Sequence, residues 1–438
     1  MRTYHIITYG CQMNENDSEK LAKMLTDLGY EATQDPRSAA ILVMNTCSVR
    51  ENADDKFFGN LGYMKNLKKE TGMLIAVCGC MMQQEHIVAK IMKNYPFVDV
   101  LFGTHNIEEF PALLSQRLAS GKAAYKVKTE GGAIAEGIGA KRRYAYKAYV
   151  TIMQGCNNFC SYCIVPYTRG RERSRKATDI LQEIKALADD GVKEMMLLGQ
   201  NVNSYGIADG FKETFPDLLR QINDIEGIQR IRFMTSHPKD LSAELIEAMA
   251  ECDKVCKHLH LPLQSGSSRI LSLMNRRYDQ AHYLSLIEQI KTRIPAIGLT
   301  TDIIVGFPGE SEEDFEETMN VIKTVRFDSA YTFIFSPRKG TKAAEYVYDL
   351  DKDTIQRRFQ RLLDTQKVIS GENNAALLNK EVEVLAEGPS KSDITRQSGR
   401  TDDNRIVNFV GEAKAGEMAK VSITHTKSFY LEGVEKKH

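Results

Sequence analysis

Short runs of branched and aromatic residues alternate with amphipathic stretches over the first 120 positions. Residues 4–9, 40–44, 74–77 and 98–102 read as strands, and residues 17–28, 52–69, 83–94 and 107–119 carry apolar positions at helical spacing. Such alternation predicts a mostly parallel sheet with helices on both faces, an α/β sandwich. Residues 121–141 are rich in Gly and Ala without periodicity, including Gly131-Gly132 and Gly137-Ile138-Gly139, and read as a linker. A second alternating region follows, with strands expected at 148–153, 194–198, 230–234, 257–261, 299–305 and 330–335. Six strand–helix units predict a partial (β/α)6 barrel. Beyond residue 373 the pattern changes to short strands at 381–386, 405–410, 419–424 and 429–431 between polar turns, which predicts a small all-β barrel. The expected domains are therefore 1–120, a linker at 121–141, 142–372 and 373–438.

Composition narrows this picture. The chain of 438 residues is 42% apolar, ordinary for a folded protein, and no apolar run reaches the length of about eighteen residues that a membrane span needs. Residues 1–7 read as the start of a strand and lack the features of a secretion signal, so a cytoplasmic protein is expected. The 58 basic and 58 acidic residues balance, so any polyanion site must come from local clustering. Such a cluster exists at 141–176, where nine Lys or Arg accompany one acid. Arg142, Arg143, Arg169, Arg171, Arg173, Arg175 and Lys176 are interleaved there with Tyr144, Tyr146 and Tyr167, a pattern suited to holding phosphates and stacking a splayed RNA base. A solvated basic face, or charges that stabilise a cofactor, would give the same pattern.

The nine cysteines carry the sharpest signal, because without an export signal close clusters point to metal or redox chemistry rather than disulfides. Gly155-Cys156-Asn157-Asn158-Phe159-Cys160-Ser161-Tyr162-Cys163 sets three thiols directly after an expected strand, near the barrel mouth. Three close thiolates fill three corners of a 4Fe–4S cluster and leave one iron open; a zinc site or a group of buried thiols is the alternative. The segment closely resembles the radical S-adenosylmethionine superfamily. That resemblance implies that Cys156, Cys160 and Cys163 bind a 4Fe–4S cluster whose open iron chelates S-adenosylmethionine, which is cleaved to a 5′-deoxyadenosyl radical. It also points to cofactor contacts at other strand ends: Gln200 and Asn201; Gln264 and Ser265; and Asp302, Ile304 and Gly306 in Asp302-Ile303-Ile304-Val305-Gly306-Phe307-Pro308-Gly309. Ordinary turn chemistry would also place such residues there.

Cys11, Cys47 and Cys80 are remote from one another, but each follows an expected strand. In a parallel sheet those ends share one edge, where loops converge. Core burial of all of them is the alternative, and it is the expectation for Cys78, which ends its strand. Tyr9-Gly10-Cys11-Gln12-Met13-Asn14, Asn45-Thr46-Cys47-Ser48-Val49-Arg50-Glu51 and Cys78-Gly79-Cys80 resemble the N-terminal domain of methylthiotransferases. That family binds an auxiliary 4Fe–4S cluster at the matching cysteines, and it uses two S-adenosylmethionine molecules per turnover, one as methyl donor and one as radical source.

Residues 45–53 and Phe102-Gly103-Thr104-His105-Asn106 look most like the MiaB-type tRNA methylthiotransferases, and residues 373–438 resemble a TRAM RNA-binding domain, including Gly399-Arg400-Thr401-Asp402-Asp403-Asn404. The resemblance implies methylthiolation at C2 of N6-(dimethylallyl)adenosine at tRNA position 37. The RNA-contact candidates are Arg142, Arg143, Arg169, Arg171, Arg173 and Arg400, and the expected partners are the tRNA anticodon stem-loop, a reducing electron donor and a sulfur or cluster assembly system. A monomer is expected. Threonylcarbamoyl-adenosine in tRNA and a ribosomal-protein aspartate are the neighbouring substrates in the family, and an iron–sulfur RNA-binding regulator without turnover is the reading from a different class. Cys252 and Cys256 have no third cysteine nearby, and His237, His258 and His260 read as structural or rim residues.

Overall fold

The computed structural model describes residues 2–48, 51–129, 134 and 136–436. Val49, Arg50, Gly131 and Gly132, which figured in the motif and linker readings, lie outside the described residues. The N-terminal sheet comprises β1 (Thr3–Thr8), β2 (Glu31–Ala32), β3 (Ile41–Thr46), β4 (Leu74–Gly79), β5 (Val100–Phe102) and β6 (Ala124–Lys126). Its order is β2-β1-β3-β4-β5-β6, with every pairing parallel. Helices α1 (Gln12–Asp27), α2 (Glu51–Thr71), α3 (Glu85–Asn94) and α4 (Phe110–Ser120) connect these strands. The side-chain period of two divides the sheet between two cores. Leu42, Met44, Ile75 and Val77 pack with Phe57 and Leu61 on one face, whereas Ile41, Val43 and Ala76 pack with Leu21, Leu25 and Phe110 on the other. Two edge strands were not legible in the pattern: β2 is only two exposed residues, and β6 falls within the stretch read as linker.

The central region forms β7 (Lys147–Thr151), the short antiparallel pair β8 (Met153–Gln154) and β9 (Arg173–Ser174), then β10 (Glu194–Leu198), β11 (Arg230–Phe233), β12 (His258–His260), β13 (Gly298–Val305) and β14 (Ser329–Ile334). Two parallel three-stranded ladders, β11-β10-β7 and β12-β13-β14, are joined by a bridge between Ile231 and Val255, which makes the expected open barrel. Val150, Met195, Leu197, Ile231, Phe233 and Leu259 face outward into one core with Ile184, Leu219 and Ile290 of the surrounding helices. The alternate residues face the inside of the barrel, among them Tyr149, Met196, Leu198, Asp302 and Ile304.

The C-terminal region closes into a five-stranded barrel of β15 (Glu381–Pro389), β16 (Gln397–Thr401), β17 (Ile406–Val410), β18 (Met418–Thr426) and β19 (Leu431–Glu435). Val384, Val407, Phe409, Val421 and Leu431 fill it. It docks on the end of the partial barrel where the strands begin. Arg230 Nη1 donates to the Arg400 carbonyl at 2.6 Å, and Arg232 donates to the carbonyls of Thr401 and Asp402 at 2.7 and 3.0 Å. The Lys257 N–H donates to Asp402 Oδ2 at 2.9 Å. The Gly399–Asn404 turn, which the resemblance put in the RNA-binding domain, thus plugs the floor of the barrel. Among the described residues no helix is long and apolar enough to cross a membrane.

Candidate functional site

The ends of β1, β3 and β4 are neighbours in the sheet, so the loops carrying Cys11, Cys47 and Cys80 emerge side by side. Gly10, at φ +139°, brings two of them together: a Cβ there would stand 2.7 Å from that of Cys47. A buried amide lattice fixes the loops. Asn14 Nδ2 donates to Asn45 Oδ1 at 3.1 Å and to the Thr46 carbonyl at 3.0 Å, and Thr46 Oγ1 donates to the Cys78 carbonyl at 2.6 Å. Burial pushes the Cys80 thiol up to about 12; Arg169 opposes this, while Cys47 and Cys11 add to it. Arg169 Nε donates to Cys80 Sγ at 3.2 Å and Nη2 to Asp17 Oδ2 at 2.8 Å. Cys78 points the other way, into the core with Val43, Val100 and Phe102.

The second trio lies on the loop after β8. Gly155, at φ +84°, admits no Cβ, which would fall inside the Arg171 carbonyl, and its N–H donates to Gln200 Oε1 at 2.5 Å. The Cys156 N–H donates to the Gly170 carbonyl at 3.1 Å. Phe159, at φ +46°, holds a left-handed conformation that Asn275 Nδ2 secures by donating to the carbonyls of Asn158 and Phe159, with Arg171 4.3 Å above its ring. Arg276 Nη1 approaches Cys160 Sγ at 3.5 Å. Burial pushes Cys156 up to about 11 and Cys163 up to about 12.

The donor set of each trio, three thiols with no His or carboxylate among them, is of the kind a 4Fe–4S cluster takes. Among the described residues no three His, Cys, Asp or Glu side chains are close enough to share one metal ion. A 4Fe–4S cluster makes no such demand, since each of its irons takes its own thiolate. Desolvated thiols resist losing their protons as free groups, and a buried arginine beside each trio supplies the positive charge that bound thiolates require.

The other expected cofactor contacts have varied surroundings. Gln200 holds the Gly155 amide, and Asn201 Nδ2 donates to Asp240 at 2.7 Å while its buried Oδ1 has no hydrogen-bond partner. Gln264, at φ +66°, is tied by its backbone to Asp302 and Ile304, and the buried Ser265 hydroxyl lies 3.3 Å from Thr318 Oγ1. Asp302 lies 3.4 Å from His260 Nε2, Ile304 packs near Phe307, and the Gly306 N–H donates to Glu310 at 2.9 Å. Sequence reasoning missed Tyr331 and Phe333, which pair with Asp302 and Ile304 on the inner face of the barrel and are 48% and 47% exposed. It also missed Arg276. The alternation of residues in β14 held a signal for the two aromatics.

Comparison with known proteins decides the family. Residues 150–322 match the Radical SAM superfamily, residues 3–103 an uncharacterized protein family, UPF0004, and residues 376–434 the TRAM domain. The chain is 54% identical to a tRNA-2-methylthio-N(6)-dimethylallyladenosine synthase of Alkaliphilus oremlandii, across 99% of this chain and 92% of that protein. It is 53% identical to the enzyme of that name from Clostridium tetani, across 99% and 96%. The chain belongs to this family of synthases. Its fold is also similar to that of the radical S-adenosylmethionine methyltransferase TsrM from Kitasatospora setae, with a TM-score of 0.55 at 14% identity over 76% of this chain and 73% of that one. The cobalamin-dependent S-adenosylmethionine radical enzyme OxsB gives 0.52 at 11% identity over 84% and 56%. Membership of the Radical SAM superfamily brings with it a 4Fe–4S cluster and S-adenosylmethionine.

Within this synthase fold the basic cluster is not one surface. Arg169 and Arg175 are buried, the second on Glu136, Glu183 and the Thr151 carbonyl. Arg142 pairs with Asp190 at 2.5 Å, and Arg143 stands 5.3 Å from the Tyr144 ring. Arg173 donates to the Arg169 carbonyl at 3.2 Å, and Arg400 reaches Asn404 and Glu387. His258 and His260 share Thr300 Oγ1 at 3.0 Å, His260 also facing Asp302 and the Tyr331 ring, and Cys252 and Cys256 are buried.

Proposed function

We propose that this chain methylthiolates C2 of N6-(dimethylallyl)adenosine at tRNA position 37, with Cys156, Cys160 and Cys163 holding one 4Fe–4S cluster and Cys11, Cys47 and Cys80 an auxiliary one. The observation that carries the reading is that Arg169 and Gly170, adjacent on one loop, touch both trios, Arg169 Nε donating to Cys80 Sγ at 3.2 Å and the Gly170 carbonyl accepting from the Cys156 N–H at 3.1 Å. Cys11 packs beside Met13, Tyr149, Met196, Leu198 and Met234, so this residue lies against the inside of the same barrel whose rim bears the second cysteine loop. With S-adenosylmethionine, the cluster on Cys156, Cys160 and Cys163 would, once reduced by the electron donor, supply the 5′-deoxyadenosyl radical, and the auxiliary cluster would carry the sulfur that a second S-adenosylmethionine methylates.

The protein's own part is positioning. Asn16 bridges the domains, donating to the Tyr149 carbonyl at 3.2 Å and accepting from Thr151 Oγ1 at 3.0 Å. Tyr149 donates to Glu15 at 2.5 Å. Tyr331 and Phe333 offer half-exposed rings on which an unstacked adenine of the anticodon stem-loop can rest. The reading requires a reducing electron donor and a sulfur or cluster assembly system, acts in the cytoplasm where tRNA is, and needs only one chain.

The test is nucleoside mass spectrometry after incubating anaerobically reconstituted protein with isopentenylated tRNA, S-adenosylmethionine, reductant and sulfide. The wild type forms the methylthio nucleoside. A Cys11→Ala/Cys47→Ala/Cys80→Ala variant still cleaves S-adenosylmethionine but forms none, and equal product from both would refute the auxiliary site.

A further inference from the structure

Arg169 belongs to the barrel loop just beyond Cys163, yet its side chain enters the N-terminal thiol site. It is only 3% exposed. Nε donates to Cys80 Sγ at 3.2 Å and Nη2 to Asp17 Oδ2 at 2.8 Å, while Nη1 is buried with no hydrogen-bond partner. A guanidinium N–H left unmade in the interior costs about 1–3 kcal/mol, more when charged, so its retention calls for an acceptor. Arg276, at the other trio, makes the contrast. Its Nε donates to the Tyr278 hydroxyl at 3.0 Å and Nη2 to the Pro262 carbonyl at 3.0 Å, leaving Nη1 for Cys160. All three nitrogens of Arg276 are engaged, whereas Arg169 keeps one in reserve beside the Cys80 and Cys11 thiols.

We propose that Arg169 is the hydrogen-bonding cation of the auxiliary cluster, with Nε on the Cys80 thiolate and Nη1 on a second anionic sulfur of the same assembly, so that it raises the cluster's reduction potential. The proposal rests on the two-cluster reading above. Hydrogen bonds to cluster sulfurs stabilise the added electron and are a main protein control over cluster potential. An arginine suits this role because its charge is permanent and its fork can engage two anionic atoms at once. The adjoining Gly170 carbonyl accepts from the Cys156 N–H at 3.1 Å, so one dipeptide touches a ligand of each cluster. Arg169 is thus a positioning residue that ties the two sites together.

The experiment uses the full chain carrying Cys156→Ala, Cys160→Ala and Cys163→Ala, reconstituted so that the auxiliary cluster alone is observed, with its midpoint potential followed by EPR. Adding Arg169→Gln should leave roughly four irons per chain, move the midpoint to a more negative potential and alter the EPR g values of the reduced cluster. Adding Asp17→Asn instead removes a nearby negative charge while keeping the sulfur donor, and should move the midpoint the opposite way. An unchanged midpoint and spectrum in Arg169→Gln with the iron retained would overturn the proposal. If that variant loses its iron, Asp17→Asn decides: a positive shift supports the proposal, and no shift or a negative one refutes it. A parent that binds no iron at all would instead bring down the two-cluster reading itself.

Discussion

Replacing Arg232 with Met should loosen the C-terminal barrel from the floor of the partial barrel. The Arg232 guanidinium donates to Glu194 Oε2 at 2.8 Å and to the carbonyls of Thr401 and Asp402 at 2.7 and 3.0 Å, with its side chain 3% exposed. Deleting one partner of a buried ion pair costs about 3–5 kcal/mol, because the other charge is stranded. Two carbonyls also lose a donor, at about 1 kcal/mol each. Lys147 stays 3.2 Å from Glu194 and offsets part of this loss, and the Met side chain refills most of the volume. A net cost of about 4 kcal/mol remains, nearly a thousandfold in a local opening equilibrium at about 1.4 kcal/mol per tenfold. Multidomain chains seldom melt in one step, so the assay is hydrogen exchange in peptides covering residues 230–233 and 397–405. Protection there should fall several hundredfold or more, with little change in the loop at 155–163 at the opposite end. A fall of less than tenfold would refute the reasoning. Glu194→Gln added to Arg232→Met should restore about 1–2 kcal/mol by removing the stranded charge, and strict additivity would contradict that account.

Gly155→Ala places a methyl group inside the Arg171 carbonyl at a positive φ, so the reconstituted enzyme should hold roughly four fewer irons and cease to cleave S-adenosylmethionine; a full iron complement would count against the loop geometry. Burial alone would raise the Glu194 pKa, but Arg232 and Lys147 overcome it and hold the carboxyl down at about 2, against an ordinary 4.5. Its stabilisation, about 3 kcal/mol, is therefore complete above pH ~4.5 and lost as pH falls toward ~2, so Glu194→Gln should flatten the acid limb of a stability profile in that window and leave its slope at neutral pH unchanged. Tyr331→Ala and Phe333→Ala, at half-exposed positions, should alter thermal stability by no more than about 0.5 kcal/mol yet raise KM for tRNA, and an unchanged KM would remove the rings from substrate binding.

What the sequence disclosed and what it withheld divide along the range of the interactions. Strands β3, β4 and β10–β13 were legible because each buries apolar residues in a short run, and β14 because of its aromatic and branched content although it buries little; the positions of Cys11, Cys47 and Cys80 after expected strands already implied a shared sheet edge. Strand β16, Gln-Ser-Gly-Arg-Thr, carries no apolar alternation; it is a strand only because β15 and β17 hydrogen-bond to both its sides. The basic cluster is divided in space for a related reason. Counting one acid among residues 141–176 treats the neighbours in sequence as the neighbours in space, whereas the carboxylates that neutralise it come from Asp17, Glu136, Glu183 and Asp190. Four of the expected surface cations, Arg142, Arg169, Arg175 and Arg400, therefore have acidic partners supplied by other segments. Arg169 shows what this costs a linear reading: one of the six candidate RNA contacts is buried, 3% exposed, on Asp17 and Cys80. Its meaning lies in the join between two domains, and a single domain's pattern does not contain it.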